Sequence, residues 1–235
     1  MNFKFFFVLL TIATLSAQKD STLIWKHYIR SGFANADSTG GGFGYYRLNR
    51  QTDKTFRDLR FFSYSLKNDS FVYIRYKSSN KYSSLPMFYR YVTTSYRKNT
   101  RANVSLQYHF NQGLGYFIHD YENGLVNFEI GHAFDMSDYL NATRKTSYFK
   151  SGFFWDHDIK WFSTKFEAEY FQQISEVVEN NLSRTQFLFE MIIPLKNNIS
   201  INLNYEVEDY LKKNQIDASS TTIAIEWKGN LNWGL

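Results

Sequence analysis

The stretch ISINLNYEVE, residues 199–208, constrains the fold more than any other. Ile199, Ile201, Leu203, Tyr205 and Val207 are apolar or aromatic, and Ser200, Asn202, Asn204, Glu206 and Glu208 between them are polar. Successive side chains of a β-strand point to opposite faces, so a period of two makes one face greasy and the other wet. Two architectures satisfy such a strand. A soluble sandwich turns the greasy face onto a second sheet, whereas an outer-membrane barrel turns it onto lipid and the wet face inward.

The same alternation recurs along the chain. Val72, Ile74 and Tyr76 interleave with Tyr73, Arg75 and Lys77; Val104, Leu106, Tyr108 and Phe110 interleave with Asn103, Ser105, Gln107 and His109. Phe162, Phe166, Ala168 and Tyr170 oppose Trp161, Lys165, Glu167 and Glu169, and Phe187, Phe189, Met191 and Ile193 oppose Gln186, Leu188 and Glu190. The segments that read as strands are 22–33, 40–49, 57–66, 70–78, 87–97, 101–110, 114–120, 125–134, 143–155, 159–171, 182–194, 199–209 and 221–235. A single-chain bacterial barrel has an even number of strands. One pair must therefore merge, around 101–120, giving about 12.

Several segments run well past the roughly 5 or 6 residues of an ordinary strand, and a tilted crossing strand needs about 9 to 11. Aromatic residues make up 20% of the chain, and Tyr and Trp suit the two membrane interfaces where barrels carry aromatic girdles. Polar turns at 67–69, 97–99, 156–158 and 196–198 alternate with longer polar stretches at 80–86, 135–142, 172–182 and 210–219, as short periplasmic turns alternate with longer outer loops. The two prolines, Pro86 and Pro194, fall near strand ends. In TTIAIEWKGNLNWGL, Ile223, Ile225, Trp227, Leu231, Trp233 and Leu235 keep the alternation to the last residue. The barrel insertion machinery reads such a final strand, although Lys228 and Gly229 could turn it early.

The chain opens MNFKFFFVLLTIATLSAQKD, with Lys4 followed by an apolar run and small Ser16 and Ala17. That is the pattern of a secretory signal peptide, residues 1–17, and the run is too short for a membrane helix. Residues 18–235 read as one domain. Cysteine is absent, which removes disulfides and thiolate chemistry. Lys and Arg number 27 against 22 Asp and Glu, and loss of Lys4 leaves a net charge of +4. The basic residues are scattered rather than set in a stripe, so no nucleic-acid partner is expected. The sequons at Asn68, Asn103, Asn141, Asn181 and Asn198 read as accidents of an Asn-rich chain.

Few constellations suggest chemistry. No His-x-Ser occurs at His27, His109, His119, His132 or His157, as an outer-membrane phospholipase would need to activate its serine. Asp156-His157-Asp158 could ligate a metal or activate water, but it reads as a turn. STGGGFG, residues 38–44, lacks the Lys and the following helix of a phosphate loop. No catalytic, metal or cofactor site is assigned. The polar face instead offers Lys165, Glu167, Glu169, Arg184, Glu190, Asn204, Glu206 and Glu208 as lumen-lining residues. They would form either a cross-strand ion network filling a narrow barrel or the wall of a wider pore, and the first is expected.

RSGFANADSTGGGFGYY (30–46), QFLFEMIIPLKNNISINLNYEVEDY (186–210) and STTIAIEW (220–227) resemble the YdiY-like salt-induced outer membrane proteins, a bacterial family of unknown function. The resemblance spans residues 22–228 and implies an outer-membrane barrel of about 12 strands with no catalytic residues. The chain lacks the family's usual prolines after Tyr210, and its middle is compressed. The reading that follows is an all-β, antiparallel, up-and-down transmembrane barrel in the outer membrane of a Gram-negative envelope. It contacts lipid, carries no cofactor, has no set oligomeric state, and serves as a narrow channel or an envelope-stress structural protein. An exported soluble β-sandwich that binds a ligand is the alternative, and an outer-membrane hydrolase the third.

Overall fold

Each alternating segment pairs with its neighbours in sequence, and the resulting sheet closes on itself. The computed structural model describes residues 24–36, 39–65, 70–99, 104–137, 144–176, 181–212 and 218–231. Its strands are β1 (Trp25–Ala36), β2 (Thr39–Gln51), β3 (Thr55–Ser65), β4 (Ser70–Lys81), β5 (Phe88–Asn99), β6 (Val104–Tyr121), β7 (Gly124–Ser137), β8 (Arg144–Asp158), β9 (Ser163–Gln173), β10 (Arg184–Pro194), β11 (Ile199–Tyr210) and β12 (Ala218–Leu231). They stand around the ring in chain order, and β12 returns to pair with β1 from Trp25↔Leu231 to Ala36↔Ser220. Closure leaves no unpaired edge, the condition for a sheet to cross a membrane. The two-sheet sandwich does not form.

One rim carries the start of β1, the end of β12 and the connections 52–54, 82–87, 122–123, 159–162 and 195–198. The second rim carries 37–38, 66–69, 100–103, 138–143, 174–183 and 211–217, among them the three longest apart from 82–87. The turn at 195–198 is tight: Leu195 N donates to Ile199 O at 2.8 Å, and Asn197 and Asn198 take φ of 58° and 62°, a left-handed conformation that Asn tolerates.

Several boundaries differ from those the sequence predicts. The segments 101–110 and 114–120 are one strand, β6. Gly113 and Gly115, which look like breakers, are wall positions with no room for a side chain: the β7 backbone at Ile130 and Gly131 takes the space at the first and the Tyr89 ring takes it at the second. A Cβ at Gly115 would lie 2.1 Å from Cζ of Tyr89, and Gly113 is registered opposite Gly131. Residues 156–158 are not a turn. Asp156 and Asp158 pair with Lys165 and Ser163, and the reversal comes at 159–162, where Ile159 N donates to Phe162 O at 2.8 Å. Residues 97–99 likewise finish β5 rather than turn. The stretch 80–86, read as an outer loop, sits on the same rim as the tight 195–198 turn. Lys228 and Gly229 continue β12, opposite Tyr28 and His27. The leader read over 1–17, the turn 67–69, and Trp233 and Leu235 lie outside the described residues.

The polarity of the barrel is inverted relative to a soluble protein. Arg30, Asp58, Glu129, Asp135, Lys150, Arg184 and Glu226 are buried, while Ile29, Phe33, Ile74, Ile130, Phe153, Phe189 and Ile225 are exposed. Neighbours in sequence, such as Glu129 and Ile130, fall on opposite sides of one wall. An apolar surface this continuous is not tolerated in water and marks contact with an apolar medium. Inside, two small apolar clusters remain, Ala34, Phe43 and Ala224 in one and Ala133, Tyr148 and Phe171 in the other.

Candidate functional site in the barrel interior

Three charged groups stand in the barrel interior. The first centres on Glu129 of β7, whose carboxylate accepts from Lys77 Nζ at 2.6 Å, Lys150 Nζ at 2.9 Å and the Tyr89 hydroxyl at 3.0 Å. Lys77 stands on β4, three strands from β7, so this bond crosses open interior instead of following the wall. Lys150 also reaches Glu169 at 2.6 Å. Both ammonium groups lie about 5 Å from the rings of Tyr91 and Phe154, where the π-faces add attraction. Buried charges are tolerated only when paired and hydrogen-bonded, and these are.

The second group lies toward the first rim. Asp58 is fully buried and accepts from Arg47 Nε at 2.5 Å and Arg60 Nε at 2.6 Å. Arg47, Arg60 and Arg75 stand in one registered row across β2, β3 and β4. Like charges directly opposite destabilise a sheet. Asp58 offsets two of the three, and Glu167, within electrostatic range of Arg60 and Arg75, faces them from the other wall. At the seam, Arg30 bonds Glu226 of β12 and Glu190 of β10, the latter at 2.6 Å, and Ser200 donates to Glu226 at 3.2 Å.

The third group spans the barrel nearer the second rim. His109 bonds Asp135; Arg184 Nη2 reaches Asp135 Oδ2 at 3.3 Å and its Nε reaches Glu208 Oε1 at 3.3 Å; Arg97 Nη1 reaches Glu208 Oε2 at 3.5 Å. The Tyr210 hydroxyl donates to Glu208 at 2.9 Å, and the Arg184 guanidinium covers the Tyr148 and Phe171 rings. Carboxylates and guanidinium groups thus run in an unbroken line from β7 to β5 by way of β10 and β11.

Of the residues singled out by alternation, the structure joins Lys165 to Glu167 at 2.5 Å, Arg184 to Glu208, and Asn204 to Glu206 at 3.1 Å. It does not join all eight. Glu190 is registered opposite Lys165 but bonds Arg30, and Glu169 bonds Lys150. The central members of the network, Arg30, Asp58, Arg97, Glu129, Asp135 and Lys150, were not selected from the sequence. Arg97 falls in a stretch that reads as a turn and Asp135 in one that reads as a loop, and which strands face one another is a property of the closed ring.

The constellations weighed for chemistry do not converge. Asp156 points inward opposite Lys165, whereas His157 is on the outer face, stacked on Trp155 and bonded to the Tyr121 hydroxyl at 2.9 Å. His119 stacks on Tyr121. Gly40, Gly42 and Gly44 alternate with Gly41 and Phe43 along β2, and a Cβ at Gly42 or Gly44 would meet nothing within 4 Å.

No family model matches the chain, and no curated protein matches it. Solved structures do. The NanC porin superposes with a TM-score of 0.55 at 9% identity, over 86% of this chain and 98% of that one. An outer membrane channel from Pseudomonas putida F1 superposes with a TM-score of 0.52 at 9% identity, over 92% and 98%. The chain therefore has the fold of the outer-membrane barrels, a closed antiparallel ring of twelve strands.

Proposed function

We propose that the chain is an integral barrel of the Gram-negative outer membrane that encloses a narrow, charge-lined passage. The observation that carries this reading is the inverted polarity of the wall, greasy outside and ionic inside. The first rim is read as periplasmic and the second as external, supported by the two longest connections, 174–183 and 211–217, both lying at the second. On this reading Lys165, Glu167, Glu169, Arg184, Glu190, Asn204, Glu206 and Glu208 line the lumen, and the bond from Arg97 to Glu208 spans it. The leader at 1–17 exports the chain, and β12 presents it to the barrel insertion machinery. The likeness to YdiY-like salt-induced proteins belongs to the same proposal and is supported by the residues quoted for it. The role is passage or support rather than catalysis.

The protein should remain with the detergent-soluble membrane fraction and migrate differently on SDS gels before and after boiling. Release by osmotic shock is the opposing result. In planar bilayers it should conduct weakly, with a slight preference for anions from its net positive charge. Large, steady openings would show that the interior is wide. A second reading, a sealed structural barrel, is favoured by the ion pairs that cross the interior and is distinguished by zero conductance.

A further inference from the structure

The aromatic and aliphatic belt of the outer wall is interrupted at the first rim by a group of arginines. At the first-rim ends of β6, β8, β11 and β12 the outward residues include Tyr116, Trp155, Ile199 and Trp227, all exposed. At the same ends of β2, β3 and β5 they are Arg50, Arg57 and Arg90. Alternation places all three outside: their neighbours Asn49, Asp58, Tyr89 and Tyr91 fall on the inward registers, and Asp58, Tyr89 and Tyr91 are buried.

Arg50 is registered directly opposite Arg57, and Arg90 opposite Asn80, to which Arg57 Nη2 donates at 2.8 Å. Arg57 Nη1 donates to the carbonyls of Phe56 and Ser79 at 2.8 and 2.9 Å, which pulls its head toward the rim while its stem stays on the wall. Arg50 packs over the Trp25 ring at 5.2 Å, and its Nε is buried without a hydrogen-bond partner. Among the described residues none of the three pairs with a carboxylate, whereas Arg30, Arg47, Arg60 and Arg184 inside all do. Three unneutralised guanidinium groups held together call for an anion from outside the chain.

The surroundings specify its kind. One step along the outer face from Arg57 lies the registered pair Leu59 and Tyr76, and beyond Arg90 lies Val92, all exposed. Cations at the rim followed by apolar wall match a molecule with an anionic head and a hydrocarbon tail. Guanidinium groups bind phosphate oxygens in a planar fork, which an ammonium cannot reproduce. We infer that Arg50, Arg57 and Arg90 form a binding site for the phosphate of an anionic phospholipid in the inner leaflet. This inference rests on the membrane reading above.

The test uses the full mature chain folded into vesicles of phosphatidylcholine, with or without phosphatidylglycerol, and lipid retention measured on the protein extracted in mild detergent. The heat-modifiable band in phosphatidylcholine alone checks the barrel reading; its absence from every vesicle would remove that reading and this one with it. Given a folded barrel, the protein should retain phosphatidylglycerol over phosphatidylcholine, and R50Q/R57Q/R90Q should weaken that preference roughly a hundredfold, the product of the gain expected per surface arginine. Should the triple variant not fold, Arg90→Gln, whose side chain bonds no described residue, should weaken it several-fold alone. Lys196→Gln, in another turn of the same rim, should leave it unchanged. Equal retention of both lipids by the wild type, an equal loss in Lys196→Gln, or displacement of the lipid by inorganic phosphate at matched concentration would each overturn the inference.

Discussion

Arg97 and Glu208 meet with their charged groups 3.5 Å apart although they stand on β5 and β11, six places apart in a ring of twelve, and so on diametrically opposite walls. Their contact bridges the interior at that level. Replacing both by alanine should raise single-channel conductance several-fold while leaving the heat-modifiable band in place, because Arg184 keeps Asp135 as partner. Unchanged conductance would place the constriction elsewhere.

Leu203 and Asn204 test the assignment of faces within one strand. Leu203 is registered with Met191 and Ile223 on the outer face, and Asn204 lies inside beside Glu206. An arginine on the lipid face near the midplane costs about 2–4 kcal/mol. Leu203→Arg should therefore greatly reduce the folded fraction in lipid vesicles. Asn204→Arg, able to pair with Glu206, should leave most of it. Equal tolerance would mean that the faces are assigned wrongly.

Glu129 holds two buried ammonium groups, so its loss strands Lys77 and leaves Lys150 with Glu169 alone. Glu129→Gln should destabilise the barrel by about 3–5 kcal/mol, the range for breaking a buried pair by removing one partner. Lys77→Met should cost less, because Lys150 still neutralises Glu129. Urea unfolding in vesicles, followed by tryptophan fluorescence, orders the two variants, and a reversed order would refute the account of this cluster.

Gly115→Ala drives a methyl group into the Tyr89 ring and through it disturbs the hydroxyl that serves Glu129. Overpacking of this kind costs about 1–3 kcal/mol. Tyr89→Ala creates the missing space, so the double variant should lose less than the two single variants together. Strict additivity would show that the ring and the glycine are not coupled.

Alternation carries the strands and their two faces, because these depend only on a residue's immediate neighbours, while the even number of strands in a closed ring reduces the thirteen segments read to twelve. Alternation fails where a residue's meaning lies across the barrel. Gly113 and Gly115 look like breaks until the β7 backbone at Ile130 and Gly131 is seen to crowd the first and the Tyr89 ring the second. Asp156-His157-Asp158 has turn chemistry, yet pairing with Lys165, Thr164 and Ser163 keeps it extended. Lys77 and Glu129 bear no relation in sequence that marks them as partners, since ring closure alone brings β4 within reach of β7.

The seam between β1 and β12 joins residues that are far apart in the chain: Arg30 and its partner Glu226 are separated by 196 residues. Every other strand pair is local, so the remaining eleven hairpin contacts can form in order as the chain becomes available, but the ring cannot shut until its last strand arrives. Loop-closure entropy must then be met at once, and topologies dominated by such distant contacts are slow to form. Until that moment the two end strands carry open hydrogen-bonding edges and a bare Arg30, so a chain that stalls short of closure is an adhesive intermediate and not a smaller barrel.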